Sequence, residues 1–356
     1  MRTTRPRTAR PTPLSPAPLT RITAVSATLV LIAGCGSSDG AGSSEGGEPN
    51  AQEKQPRTVQ TMFGAVEIPE PQDGDLTVVA LGWSDAETAL ALDVVPAATV
   101  DWQGFGPDNG GVGPWATERF AGTEPLIIEQ GNTSLNYEQI QALDPDLILN
   151  TRSDNDKQEF ERLSQIAPTV YGPKGTGAFA TDWDVQTELV GKAVGKRDEA
   201  AALVEDTQSA IDEAAAAHPG FEGTSVASAA KFGDAYGAYL PGDGRFDVLA
   251  DLGLVNNPPI AELSSSGFFA EVSRENVEVF DADAAVVLPI GYTLKEATSD
   301  ELLASLDVVE EGRAVFIDPD SELAGAWGAS SVLSIPVVLD ELAPRLADAV
   351  GSSSDD

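Results

Sequence analysis

Short apolar runs alternate with amphipathic stretches along most of the chain. Leu76–Leu81 (LTVVAL) reads as a buried strand. Ser84–Leu92 predicts a helix, with Ser84 as N-cap and Glu87 three residues on in a capping-box pattern. Val94–Ala98 follows as a short strand and turn. Ser134–Leu143 reads as a helix stopped by Pro145, then Asp146–Asn150 (DLILN) as a strand, Phe160–Ala167 as a helix and Thr169–Tyr171 as a strand. Trp183–Val194 and Arg197–Ala217 are helical. The second, RDEAAALVEDTQSAIDEAAAA, would extend about 32 Å before His218-Pro219-Gly220 ends it. The alternation then restarts over Ser225–Ala230, Asp247–Leu252, Arg274–Phe280, Ala284–Leu288, Ser299–Leu306, Ala314–Ile317 and Ser331–Val350. This pattern predicts two α/β lobes with mostly parallel sheets, joined by one long α-helix.

The first residues have a different character. Arg2, Arg5, Arg7, Arg10 and Arg21 form a basic leader, and Ile22–Ile32 is apolar but too short to span a bilayer. It ends in Leu31-Ile32-Ala33-Gly34-Cys35, which resembles the lipobox of bacterial lipoproteins, in which the cysteine carries the lipid. Cys35 is the only cysteine, so no internal disulfide framework or multi-cysteine metal site is available. Residues 36–56 are a Gly/Ser/acidic tether of about 25 Å reach. The expected organisation is a signal peptide over 1–34, tether over 35–56, N-terminal lobe over 57–194, linking helix over 195–218, C-terminal lobe over 219–350 and a tail over 351–356. Loss of the five leader arginines leaves 16 basic against 57 acidic residues, a net charge of −41. Such a surface repels nucleic acid and anionic lipid.

Three segments carry a further resemblance: Val78–Leu92 (VVALGWSDAETALAL) with DVVPAA after it, Ser134–Leu149 (SLNYEQIQALDPDLIL) and Val272–Leu288 (VSRENVEVFDADAAVVL). Together with the long helix, they resemble the substrate-binding proteins of ABC importers for ferric siderophores, haem and cobalamin. The resemblance covers about Thr58 to Val350. It implies a monomeric, lipid-anchored receptor on the extracellular face of the cell membrane, with no catalytic residues, no metal ligands of its own and no resident cofactor. Its partners would be a small iron chelate and the membrane permease. It also implies that Glu138 and Glu275, one early on a helix of each lobe, meet the permease.

Ligand contacts are expected on loops at the carboxyl ends of strands. The candidates are Trp83, Arg152, Tyr236, Arg245, Tyr292 and Trp327, with Trp102, Phe105 and Trp115 in the Gly-rich loop DWQGFGPDNGGVGPW behind them. Aromatics with a few arginines suit a bulky, partly anionic chelate. Many aromatics and few arginines favour a hydroxamate over a catecholate. Cobalamin or haem is the rival cargo, Tyr236 and Tyr292 being available as axial ligands. A lipid-anchored hydrolase is the rival class; it requires two perturbed carboxylates converging in a cleft that lacks arginine.

Other motifs fail on chemistry. Gly223–Ser228 has the look of a subtilisin nucleophile segment, but the only histidine, His218, lies five residues upstream before Pro-Gly. Asp154-Asn155-Asp156 lacks the glycine and terminal acid of a calcium loop. The GxG spacing at Gly104–Gly113 precedes no helix and reads as a flexible loop.

Overall fold

The computed structural model describes residues 57–71, 74–128, 135–263 and 267–351. The leader, Cys35, the tether and the tail lie outside the described residues. A hairpin of β1 (Arg57–Thr61) and β2 (Gly64–Ile68) opens this region. The first sheet follows: β3 (Val78–Ala80), β4 (Ala98–Thr99), β5 (Leu126–Ile127), β6 (Leu147–Asn150) and β7 (Thr169–Tyr171). All pairings are parallel, in the order β5-β4-β3-β6-β7. Alternate residues feed two apolar layers. Val78, Leu147, Leu149 and Val170 enter one, while Val79, Ile148 and Tyr171 enter the other. A parallel strand covered on both faces reads as a continuous apolar run, as VVA and LIL do here.

The second sheet is mixed. It contains β8 (Ser225–Phe232), β9 (Ala235–Tyr239), β10 (Val255–Asn256), β11 (Phe269–Val272), β12 (Ala284–Ile290) and β13 (Ala314–Phe316). The order is β11-β9-β8-β12-β13, with β10 also on β8. β10, β12 and β13 join in parallel, whereas β8–β9 and β9–β11 are antiparallel.

The helix Arg197–Ala217 connects the two sheets over the predicted span. Its few buried residues are divided between the two cores. Ala200 packs in the first and Ile211 in the second. Each end of the linker is thereby embedded in a lobe.

Three local expectations change. The span Ser299–Leu306 shortens to a helix Glu301–Ala304 capped by Asp300, and a separate helix Leu294–Thr298, opened by a Thr293–Glu296 capping box, precedes it. Arg274–Phe280 forms a 3₁₀ helix. Most importantly, Ser84 does not cap the helix Asp85–Ala91: it adopts φ 59° and its hydroxyl donates elsewhere.

Candidate functional site

The lobes meet where loops from the carboxyl ends of β3, β4 and β6 approach the helix Glu322–Ala329 and the turn after it. Gln103 Nε2 donates to the Gly325 carbonyl at 3.2 Å. Ser84 Oγ and Arg152 Nη1 both donate to the Ala329 carbonyl, each at 2.9 Å. Ala329 is the last residue of its helix, so this carbonyl lacks an intrahelical partner and carries the negative end of the helix dipole. Close approach here requires small residues. A Cβ on Gly325 would sit 2.8 Å from the Phe105 ring, and one on Gly328 would sit 2.7 Å from Gln103 Oε1.

Beside this seam a cleft of about 760 Å³ opens between the lobes. Its walls are the segment after β7 (175–184), the Pro241–Asp251 region of the second lobe, Phe268 and Ser330, with Gln208 of the linking helix at one side. Arg152 also lines it and is only 2% exposed. Its Nε donates to the Phe179 carbonyl at 3.1 Å, and burial lowers its pKa. Phe268 joins the cleft to an aromatic stack. Trp83 lies between Trp102 (centroids 4.4 Å, 11°) and Phe179 (4.2 Å, 27°), and Phe268 of the second lobe meets Trp83 edge-on at 6.3 Å. The Arg152 guanidinium is 6.0 Å from the Trp83 ring. The Gly-rich loop bearing Trp102, expected to be flexible, is organised by Asp101, whose carboxylate accepts from the N–H groups of Gly104, Phe105 and Gly106.

Two carboxyls meet across the cleft. Asp182, from the N-terminal side, is hydrogen-bonded to Asp247 of the helix Gly244–Asp251. Burial raises both; Asp247, which also accepts from Gly242 N–H, is pushed up to about 7. Deeper in the seam, burial likewise raises Asp85 and Glu87. Asp85 accepts from Thr151, Gln186 and the Gly82 N–H. Glu87 accepts from Trp115 Nε1 at 2.9 Å and from the Ser331 hydroxyl of the other lobe. The sequence pattern assigned Glu87 to a capping box; the fold turns it to the lobe seam, where buried donors outcompete a local cap.

The six candidate contacts fall into two groups. Trp83 and Arg152 adjoin the cleft as described. Arg245 sits near Arg152, but a fork of hydrogen bonds to Asp243 (2.7 and 2.6 Å) engages it, and its guanidinium lies 3.9 Å from the Tyr239 ring centre. Burial disfavours the Arg245 cation, yet the Asp243 bonds outweigh this and raise its pKa. Trp327 is fully buried edge-on to Tyr239, its indole nitrogen without a partner, so it is core beneath the site and not a wall of it.

Tyr236 and Tyr292 lie elsewhere and are not among the cleft-lining side chains. Tyr236 is a fully buried residue of β9, where a loop was expected, and its hydroxyl donates to Asp300 at 2.8 Å. Tyr292 donates to the Gly233 carbonyl at 2.5 Å. Lys231 Nζ lies 4.6 and 4.8 Å from the two tyrosine rings and pairs with Asp300 at 2.9 Å. A buried lysine needs such neutralisation, and the two tyrosines form part of its cage.

Glu138 and Glu275 are exposed, each in the first turn of its helix, Tyr137–Ala142 and Arg274–Phe280. No group of three His, Cys, Asp or Glu side chains among the described residues is arranged to hold a metal ion. Among those residues no helix is long and apolar enough to cross a membrane. Phe268 was readable as one of the loop aromatics of the second lobe, whereas Phe179, Asp182 and Asp247 were not singled out from the sequence. Only their position after strand ends could have signalled them.

Comparison with known proteins places this geometry in context. The Periplasmic binding protein family matches residues 78–321. A periplasmic solute binding protein from Mycobacterium smegmatis superposes with a TM-score of 0.72 at 32% identity, over 83% of this chain and 99% of that one. PiaA of Streptococcus pneumoniae in complex with ferrichrome gives 0.69 at 25% identity, with coverage of 83% and 99%. The petrobactin-binding protein YclQ of Bacillus subtilis is 22% identical over 215 residues, 55% of this chain and 62% of the relative, so less than two thirds of that protein is matched.

Proposed function

This chain belongs to the periplasmic binding protein family, and from that premise we propose that it captures a ferric siderophore between its lobes and delivers it to an ABC importer. The family is one of solute receptors and not enzymes. The observation that carries the reading is the inter-lobe cleft beside the stack Trp102–Trp83–Phe179, with Phe268 joining from the second lobe. Aromatic faces beside the cleft suit the apolar periphery of a preformed chelate. The iron arrives as cargo, already ligated. The complex of PiaA with ferrichrome and the petrobactin-binding relative support the same class.

Two rivals lose ground on specific contacts. Haem needs an axial side chain, and the hydroxyls of Tyr236 and Tyr292 are already engaged with Asp300 and Gly233. A hydrolase reading required paired carboxylates without arginine. Asp182 and Asp247 do form a pair, but Arg152 lines the same cleft.

Lipidation at Cys35 would hold the receptor at the membrane. Replacing Cys35 with Ala should release it into the medium. Glu138 and Glu275, exposed on opposite lobes, would report lobe spacing to the permease. The double variant Glu138→Ala/Glu275→Ala should bind ligand normally and fail in uptake; lost ligand affinity would assign these carboxylates to the fold instead.

The direct test is tryptophan quenching by ferrichrome, a ferric catecholate, ferric citrate, haemin and cobalamin. A ferric chelate lying against the stack would sit close enough to Trp83 and Trp102 to quench their emission. No saturable response to any iron chelate sinks the reading.

A further inference from the structure

The charge on the cleft walls is one-sided. Asp182 and Asp184 line it from the N-terminal side, and Asp247 and Asp251 from the second lobe. Arg152 is the one basic side chain among the lining residues, and it directs Nε and Nη1 to backbone carbonyls. Arg245, nearby, is held by Asp243. The Arg245 charge is thus paired internally, and Arg152 has two of its three nitrogens on backbone carbonyls, which leaves the carboxyls in the majority on the cleft walls.

The carboxyls, in contrast, face one another. Asp182 and Asp251 act on Asp247, Asp184 acts on both Asp182 and Asp251, and Asp212 of the linking helix adds to the field on Asp251. Internal donors are few: Gly242 N–H reaches Asp247, Val185 N–H reaches Asp184 and the Trp183 side chain reaches Asp251. Phe268 lines the same cleft and adds an aromatic ring to its wall. Carboxylates next to aromatic faces are the chemistry that recognises an alkylammonium.

Resting on the iron-chelate reading above, we propose that the cleft selects chelates bearing a protonated amine. The ammonium lies among Asp184, Asp247 and Asp251, and the chelate body lies against the aromatic stack. Anionic chelates are repelled by the same walls.

Ferrioxamine B carries a pendant ammonium, and N-acetylation removes that charge while leaving the iron centre intact. The experiment compares the affinity of the wild-type protein for ferrioxamine B, N-acetylferrioxamine B and neutral ferrichrome at moderate salt. Ferrioxamine B is expected to bind at least about tenfold tighter than its acetylated form, the order of one partly screened ion pair. In Asp184→Asn/Asp251→Asn the preference should collapse to about twofold or less, through loss of affinity for ferrioxamine B alone. Equal or tighter binding of the acetylated form or ferrichrome by the wild type overturns the charge selection and leaves the siderophore reading standing. No binding of any of the three, together with no response to the other iron chelates, removes the siderophore reading itself. The wild-type comparison needs no variant to fold.

Discussion

Asp247→Asn tests the energetics of the carboxyl pair directly. Asp247 is half-buried, accepts from Gly242 N–H and shares a hydrogen bond with Asp182. Burial is the main cause of its displacement from 3.8 to about 7. A raised folded-state pKa in an acid means that the native protein binds a proton more readily than the unfolded chain. Stability therefore falls as pH rises from about 4 to 7, and the full penalty is present above that window. At about 1.4 kcal/mol per pH unit the ceiling is roughly 4 kcal/mol. Partial solvent access and the coupling to Asp182 reduce this to about 1–2 kcal/mol. Asparagine keeps an oxygen for Gly242 and offers Asp182 an N–H, so it mimics the protonated acid at every pH. Urea unfolding of the ligand-free protein should show Asp247→Asn more stable by that amount near pH 8, with the advantage fading toward pH 4. A variant less stable at pH 8, or an advantage independent of pH, would refute the reasoning.

The remaining predictions concern the seam and the cage. Glu87→Gln removes one of two acceptor oxygens that serve Trp115, Ser331 and Gly113, and should cost about 1–3 kcal/mol in urea unfolding. Tyr236→Phe should cost about 1 kcal/mol through the lost bond to Asp300 and leave ligand quenching unchanged; a large loss of affinity would return Tyr236 to the site. Gly244→Ala puts a Cβ 2.3 Å from Ser330 Cβ and 3.2 Å from Arg152 Nη2, so it should lower stability by about 1–3 kcal/mol and weaken ligand binding with it. Thermal unfolding and titration with the tightest chelate separate the two effects.

Features written in local pattern were legible in the sequence. The linking helix was readable because 21 residues of strong helix formers end at Pro-Gly, and the strands of the first sheet because VVA and LIL are unbroken apolar runs. The antiparallel β9 was not. AYGAY is short, and its place depends on partners at Ala229–Phe232 and Phe269–Val272. This misplaced Tyr236 in a loop. The same distinction governs the site. The location of Trp83 and Arg152 near the cleft was readable because each follows closely on a parallel strand. Asp182, Asp247 and Phe268 become neighbours only once two lobes come together, and no one-dimensional spacing encodes that meeting. Ser84–Glu87 failed for the opposite reason: its local pattern was real, but partners on the other lobe took both side chains.

The two kinds of contact between the lobes also indicate which side yields to a ligand. At the seam, Gln103, Ser84 and Arg152 bond to Gly325 and Ala329, and Glu87 bonds to Ser331. Separating that edge would strip Glu87 and Arg152 of partners in places where burial already opposes their charged forms, at a cost of several kcal/mol. At the cleft, the lobes touch through Phe268 on Trp83 and Phe179, with centroids 6.3 and 6.2 Å apart, and through the carboxyls of Asp182 and Asp247. Aromatic contacts of this kind are worth about 0.5–1.5 kcal/mol each, and a chelate with an apolar surface restores them as it enters. The seam therefore acts as the fixed edge and the Phe268 side as the opening. Ala200 and Ile211 anchor the linking helix in both cores, an arrangement that opposes a wide swing of one lobe against the other.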